Sequence, residues 1–215
     1  CIRNHRTGRE DAVRWQSGSH RVPLARHATL QASIQWSVDL VEPLARTVLV
    51  RLSVFQTSFS YDAALAVGQD DEPAELVSDA IGALVDANLL QFDGPADRLR
   101  MLHTVRRFCT LGAQDSAELD GAHRRHARYS ATYCEEIGEG VHGIERGPFI
   151  REMPNLVAAM EWARENEPRL VFRMCTGLAS VRTVLGSHGN IADTWKWLLS
   201  LDRGPSGGEA WRQEW

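Results

Sequence analysis

The chain has 215 residues, 43% of them hydrophobic and 24% charged, with a net charge of -4. This is ordinary globular composition, sufficient for two small cores, and it excludes a low-complexity chain, a disulfide-dense scaffold and a uniformly basic nucleic-acid binder. There is no run of about eighteen apolar residues and no apolar signal segment at the N-terminus, so a cytoplasmic protein without membrane contact is expected.

In chain order, a short helical pattern from about Arg9 to Gln16 is broken by the stretch from Ser17 to Pro23. Thr29 is placed to cap a helix whose Leu30, Ile34, Val38 and Val41 recur at helical spacing, with Trp36 and Leu40 widening the stripe. Pro43 suits the first turn of the next helix, where its missing N–H costs nothing, and Leu44, Val48, Leu49 and Leu52 make a buried face. After a polar link between Phe55 and Phe59, Ser60 or Tyr61 opens a two-turn helix that Gly68 stops. From Pro73 to about Asn88, Leu76, Val77, Ile81, Leu84 and Val85 share one face, and Glu75, Ser78, Asp79 and Asp86 the other.

The period then changes. Leu89 to Phe92 alternates, Asp93 to Asp97 supplies turn chemistry, and Arg98 to Leu102 alternates again, which predicts a β-hairpin. A lone hairpin is marginal in water, so it must lean on the helices around it. Val105, Phe108 and Leu111 begin another helix that Gly112 can end. Three helices, a hairpin and a closing helix make a winged-helix outline over residues 26–114, with residues 1–25 a linker or the tail of a preceding domain.

Residues 115–215 are predicted to be helical throughout. Leu119, Ala122, His126, Tyr129, Tyr133 and Ile137 trace one stripe, broken by Gly138, Gly140 and Gly143. Gly147 and Pro148 form a loop, and Pro154 falls at the first turn of a helix carrying Leu156, Val157, Met160, Trp162 and Ala163. Leu170, Val171, Met174, Leu178, Val181 and Leu185 mark the next, and Ile191, Trp195, Leu198 and Leu199 the last. Helices joined by short loops predict antiparallel neighbours, as in a helical repeat array, although no strict 34-residue repeat lines up. The fold class expected is therefore mainly α, a winged helix followed by antiparallel TPR-like helices. A chain that starts at Cys1 and stops after Gly204 to Gly208 without a closing element reads as an excerpt of a longer one.

Chemistry is sparse. Cys1, Cys109, Cys134 and Cys175 lie far apart with no CxxC pair and read as reduced core fillers. His123 and His126 sit three apart as metal ligands can, but with no second pair nearby, so no metal site is expected. Trp36, Trp162, Trp195 and Trp197 on helical stripes read as packing rather than a ligand cage. No nucleophile-elbow motif and no catalytic constellation occurs, and the only lysine, Lys196, lies in no phosphate-loop motif.

Charge is distributed unevenly. Between Arg51 and Arg98 there is no Lys or Arg, while Asp62, Asp70, Asp71, Glu72, Glu75, Asp79, Asp86, Asp93 and Asp97 are all acidic. Such a segment repels phosphate. A winged helix that reads DNA inserts its third main helix into the major groove, and here that helix carries Glu75, Asp79 and Asp86 and no cation. The arginines Arg98, Arg100, Arg106 and Arg107 read as an intramolecular charge match or a protein interface, with nucleic-acid contact as the alternative.

The segment from Leu24 to Leu40, with Arg26, His27, Thr29, Leu30, Trp36, Ser37, Asp39 and Leu40, resembles the R-H-x-T-L-x-A-x-x-x-W-S-x-D-L-L block of large actinobacterial signalling ATPases of the NB-ARC (STAND) type, called LuxR-type or AfsR-like. Leu52 to Phe55 is similar to their R-L-S-V-F helix end, and Arg98 to Phe108 to their R-Y-R-L-L-E-T-V-R-Q-Y. His123 to Tyr129 resembles an R-H-A-x-Y helix, and Pro154 to Ala163 the N-L-R-A-A-L-x-W-A block that opens a TPR-like region. Together these cover roughly residues 24–201.

The resemblance implies a chain order of nucleotide-binding core, winged helix, TPR-like sensor and a separate DNA-binding domain. It implies ATP or ADP in the parent protein and no cofactor in this chain. It also implies partners: the upstream nucleotide-binding core, and a protein or small-molecule effector on the helical array. In related switch ATPases a histidine at the junction of wing and helix reaches the nucleotide phosphate. Here Leu102 stands at that position and His103 follows it, so His103 has two readings, nucleotide sensing in the parent or a capping or surface role. The expected function is a non-catalytic regulatory module of a transcriptional regulator; the alternatives are a DNA-binding winged helix and an enzyme.

Overall fold

The computed structural model describes residues 22–92, 98–113, 116–140 and 146–185. The patterns near residues 9–16 and 191–199 and the turn at 93–97 lie outside the described residues, as do Cys1, Trp195 and Trp197. The described elements run α1 (Val22–Leu40), α2 (Pro43–Leu52), β1 (Phe59–Ser60), α3 (Tyr61–Gly68), α4 (Ala74–Asp86), β2 (Leu90–Phe92), β3 (Arg98–Met101), α5 (His103–Gly112), α6 (Ala117–Glu139), α7 (Arg146–Asn166) and α8 (Pro168–Leu185). The fold is mainly α, with a winged helix formed by α2 to α5.

Local chemistry accounts for the element ends. Pro43 opens α2. The Ser60 hydroxyl accepts from the Ala63 N–H at 3.1 Å and caps α3, and Ser116 accepts from Leu119 at 3.2 Å to cap α6. Helix α4 stops at Asn88, whose φ of 57° lies in the left-handed region. There the Leu89 N–H bonds the Leu84 carbonyl and the Asn88 N–H that of Val85, both at 2.9 Å, which is the Schellman pattern, with Leu84 and Leu89 both buried beneath it.

The sheet has strand order β1-β3-β2, antiparallel throughout, with Phe59 opposite Leu99 and Leu90 opposite Met101. Strand β1 was not foreseen: two residues long, it has too short an alternation to stand out, and its pairing to β3 forms only in the fold. Leu99 and Met101 point from β3 into the first core, with Val48, Leu52, Phe59, Val67, Val77, Leu84 and Leu90. Each such side chain buried contributes about 1.5 to 3 kcal/mol.

Several expectations are corrected. The break expected up to Pro23 and the cap at Thr29 give way to a helix already running from Val22, because proline is tolerated in a first turn. Trp36 and Leu40 do not widen the buried stripe but are each 66% exposed, and Leu76 and Phe92 are also exposed, since each lies off the face its element turns to the core. Pro154 does not open a helix. It sits inside α7, on the exposed side with Ile150, where the carbonyl it leaves unpaired is not enclosed in the core. Gly138 does not break α6 but lies within it.

Helices α6, α7 and α8 pack around a second core of Ala127, Ala131, Cys134, Phe149, Leu156, Met160, Met174 and Leu178. His123, early in α6, stacks on Trp162, late in α7, at 6.1 Å, so these two run antiparallel. Glu167, just before α8, pairs with Arg124, and Arg173 with Glu135, so α8 runs parallel to α6. The two cores meet along α6.

Candidate functional site

Helix α4 is held by its inner face, Val77, Ala80, Ile81 and Leu84, against α2 and the sheet. Glu75, Asp79, Gly82 and Asp86 recur every three or four residues on the outer face, all exposed. Asp62, Asp70 and Asp71 extend the acidic surface. Among them Asp70 meets Arg125 at 3.1 Å, and the partly buried Glu72 is taken by Arg51. The outer face of α4 therefore presents carboxylates. At about 5 Å each would cost a neighbouring phosphate about 1 kcal/mol even in water.

The arginines that could offset this are largely committed elsewhere. Arg51 is buried (3% exposed), donating to Glu72, to Glu118 and to the Gly68 carbonyl at 2.6 Å, and so ties α2 to the end of α3 and the start of α6. Burial opposes its charge, but the hydrogen bonds to Glu72 and Glu118 outweigh that and raise its pKa. The cluster expected from Arg98, Arg100, Arg106 and Arg107 is dispersed. Arg98 is buried against α7; Arg106 donates to the carbonyls of Phe55 at 3.2 Å and Gln56 at 2.6 Å; Arg100 reaches Gln91 across the hairpin; Arg107 is exposed.

Arg98 leaves β3 on the face opposite Leu99. It pairs with Glu152 at 2.5 Å and donates to the Ser58 hydroxyl at 3.1 Å and the Ser58 carbonyl at 2.6 Å. Beside it Asn155, only 2% exposed, accepts from the backbone N–H groups of Gln56 (2.9 Å) and Thr57 (3.2 Å). The same carboxamide donates to the Ser58 carbonyl and to Glu152, both at 3.0 Å. Thr57 also donates to the Arg151 carbonyl. The polar link at 55–58 is thus gripped from β3, α5 and α7. Nothing in the sequence pattern marked Asn155 beyond its place in a resembling block, because its partners lie about a hundred residues away.

His103 is exposed at the first turn of α5, after Leu102, itself 39% exposed. His123 and His126 are drawn to different neighbours: His123 to Trp162, and the fully buried His126 edge-on to Phe55 at 4.7 Å, which itself stacks on Phe59. The His126 Nε2 has no hydrogen-bond partner, and burial, with His123 nearby, holds the ring neutral with a pKa lowered to about 3. Burial pushes the Cys109 thiol up to about 12 and raises Cys134 as well, so neither is a thiolate at neutral pH. Trp162 packs as expected of the tryptophans; Trp36 does not.

Two open hollows accompany these features. One, between α1 and α5, is lined by Gln31, Ala32, Gln35, Phe108, Leu111 and Gly112, and the other by Ala66, Arg125, Arg128, Tyr129 and Thr132. No carboxylate or imidazole lines either one.

Comparison with known proteins follows the same outline. A family model described as a winged helix-turn-helix domain matches residues 41–111, which span α2 to α5. The chain is 33% identical over 166 residues to a Mycobacterium tuberculosis protein provisionally named an HTH-type transcriptional regulator, covering 74% of this chain and 19% of that protein. A Mycobacterium bovis counterpart gives the same figures. An uncharacterized Mycobacterium tuberculosis protein is 28% identical over 141 residues, covering 64% of this chain and 36% of its own length. The chain therefore spans about a fifth of the first of these relatives. No solved structure matches it.

Proposed function

We propose that this chain is a non-catalytic regulatory module of a larger transcriptional regulator, in which the winged helix works by touching protein rather than by reading DNA. The observation that carries this is the outer face of α4, where the position that would enter a major groove bears Glu75, Asp79 and Asp86. With Arg51 and Arg98 buried in ion pairs, two of the cations nearest that helix in sequence are withdrawn from any phosphate. The partner favoured is the nucleotide-binding core that the resemblance puts upstream, with ATP or ADP bound there and His103 exposed at the edge of α5 for contact with it. The helices α6 to α8, whose first and third members run parallel as in stacked helical repeats, are read as the start of an array that receives a protein or small-molecule effector. The name of the mycobacterial relatives supports the regulatory role.

A second reading, direct DNA binding, is favoured by the winged helix-turn-helix family match. Titration of the full chain with mixed-sequence duplex DNA at about 50 and 200 mM salt separates the two. The protein-contact reading expects no binding tighter than the non-specific range of about 10⁻⁴ to 10⁻⁶ M at either salt, and Glu75→Lys/Asp79→Lys to create salt-sensitive binding. Tight, steeply salt-dependent binding by the unaltered chain would make the DNA reading correct.

A further inference from the structure

We infer that Glu152 and Asn155 of α7, with Arg98 and the 55–58 segment, form a joint through which a displacement of the helical array moves the β-hairpin of the winged helix. This rests on reading α6 to α8 as the receiving part of the molecule.

The winged helix meets the array along α6 and at α7. Along α6 an apolar centre of Phe55, Phe59, Ala122 and the His126 ring is flanked by separate polar ties: Arg51 to Glu118, Arg125 to the Val67 carbonyl and Asp70, and the Ser60 hydroxyl to that of Tyr129. At α7 the polar bonds converge on two side chains, Glu152 and Asn155. The Asn155 carboxamide uses both its donors and both acceptor positions, four bonds to Gln56, Thr57, Ser58 and Glu152. Glu152 in turn neutralises Arg98, whose side chain is 10% exposed.

A small slide of α7 would take the acceptor from the Gln56 and Thr57 N–H groups and the carboxylate from the buried Arg98 at once, leaving Arg98 only its bonds to Ser58. Such a group of bonds holds or lets go together rather than stretching. Arg98 begins β3, the middle strand of the sheet, and Ser58 immediately precedes β1, so β3 and β1 are fastened to the same turn of α7. Glu152 and Asn155 lie three residues apart, one above the other on the helix, and move as one piece.

The test perturbs the array far from the joint and reads the hairpin. Leu170→Ala opens a cavity in the second core, and hydrogen exchange of the full chain is followed at Gln56, Thr57 and Arg98 to Met101, with Val48 and Leu84 as references. With the joint intact, Leu170→Ala is expected to speed exchange at the hairpin and link by about fivefold or more, leaving the references within about twofold. In an Asn155→Ala background the same change is expected to add less than about twofold. Hairpin amides indifferent to Leu170→Ala, an equal acceleration in both backgrounds, or references that accelerate in step would each overturn the joint. Should Leu170→Ala not fold, Arg173→Ala, which removes only the ion pair to Glu135, serves in its place with the same criteria. The DNA titration has no bearing on these rates, so the two readings fail separately.

Discussion

Asn88 is a residue whose identity the backbone dictates. At φ 57° a β-branched side chain is strained whereas glycine is not, so Asn88→Val is expected to lower stability by about 1 to 2 kcal/mol and Asn88→Gly to change it by less than about 1. Urea denaturation of the three proteins checks this. Two titrating groups act in separate pH windows. The folded protein keeps His126 neutral down to about pH 3, while the unfolded chain takes up that proton near 6.5. Unfolding therefore binds a proton between those values, and the His126 contribution is fully present above 6.5 and erodes as pH falls, by up to about 1.4 kcal/mol per unit. Glu72 is depressed to about 2, chiefly by its hydrogen bond from Arg51 against the cost of burial, so what it contributes is present above 4.5 and lost as pH drops toward 2. Stability measured from pH 7 to 5 is expected to fall more steeply in the unaltered chain than in His126→Phe, with Glu72→Gln matching the unaltered slope there and diverging only below about 4.5. Equal slopes for the unaltered chain and His126→Phe from pH 7 to 5 would count against a buried neutral ring.

Two glycines in helices have opposite meanings that only packing reveals. A Cβ on Gly177 would collide with the Cys134 carbonyl oxygen, and one on Gly138 would lie 2.6 Å from that of Gly177, so α6 and α8 touch backbone to backbone. At Gly82, on the outer face of α4, a Cβ meets nothing within 4 Å. Gly177→Ala is expected to cost about 2 to 4 kcal/mol by forcing α8 off α6, whereas Gly82→Ala is expected to add about 0.5 to 1 through helix propensity. Thermal melts followed by circular dichroism read both. Elements long enough to show their period were legible before folding: the buried stripes of α2, α4 and α6 and the alternation of the hairpin. The strand β1 and the unbroken course of α7 through Pro154 were not, because neighbours rather than local pattern decide them. The same holds for Phe92, which is exposed, so that Phe92→Asp removes no buried side chain.

For the whole molecule, α6 is the shared wall: Ala122 closes the first core and Ala127, Ala131 and Cys134 belong to the second. With Arg51 reaching Glu118 and Arg98 reaching Glu152, both ends of the winged helix are tied to the array by charge as well as packing. Arg51→Leu is expected to lower stability by about 2 to 4 kcal/mol, measured by denaturant unfolding, because it leaves the Gly68 carbonyl without its donor, Glu72 without its cation and Glu118 with only the longer contact to Arg125. The acidic outer face of α4 was fixed by the residues alone, since no Lys or Arg stands between Arg51 and Arg98 and helical periodicity assigns Glu75, Asp79 and Asp86 to one side. Hydrophobic spacing likewise determined that the chain is mainly helical with one hairpin. Which arginines remain free to meet a partner was decided only by tertiary structure, because a guanidinium's role depends on carboxylates that the fold brings to it from 21, 54 and 67 residues away.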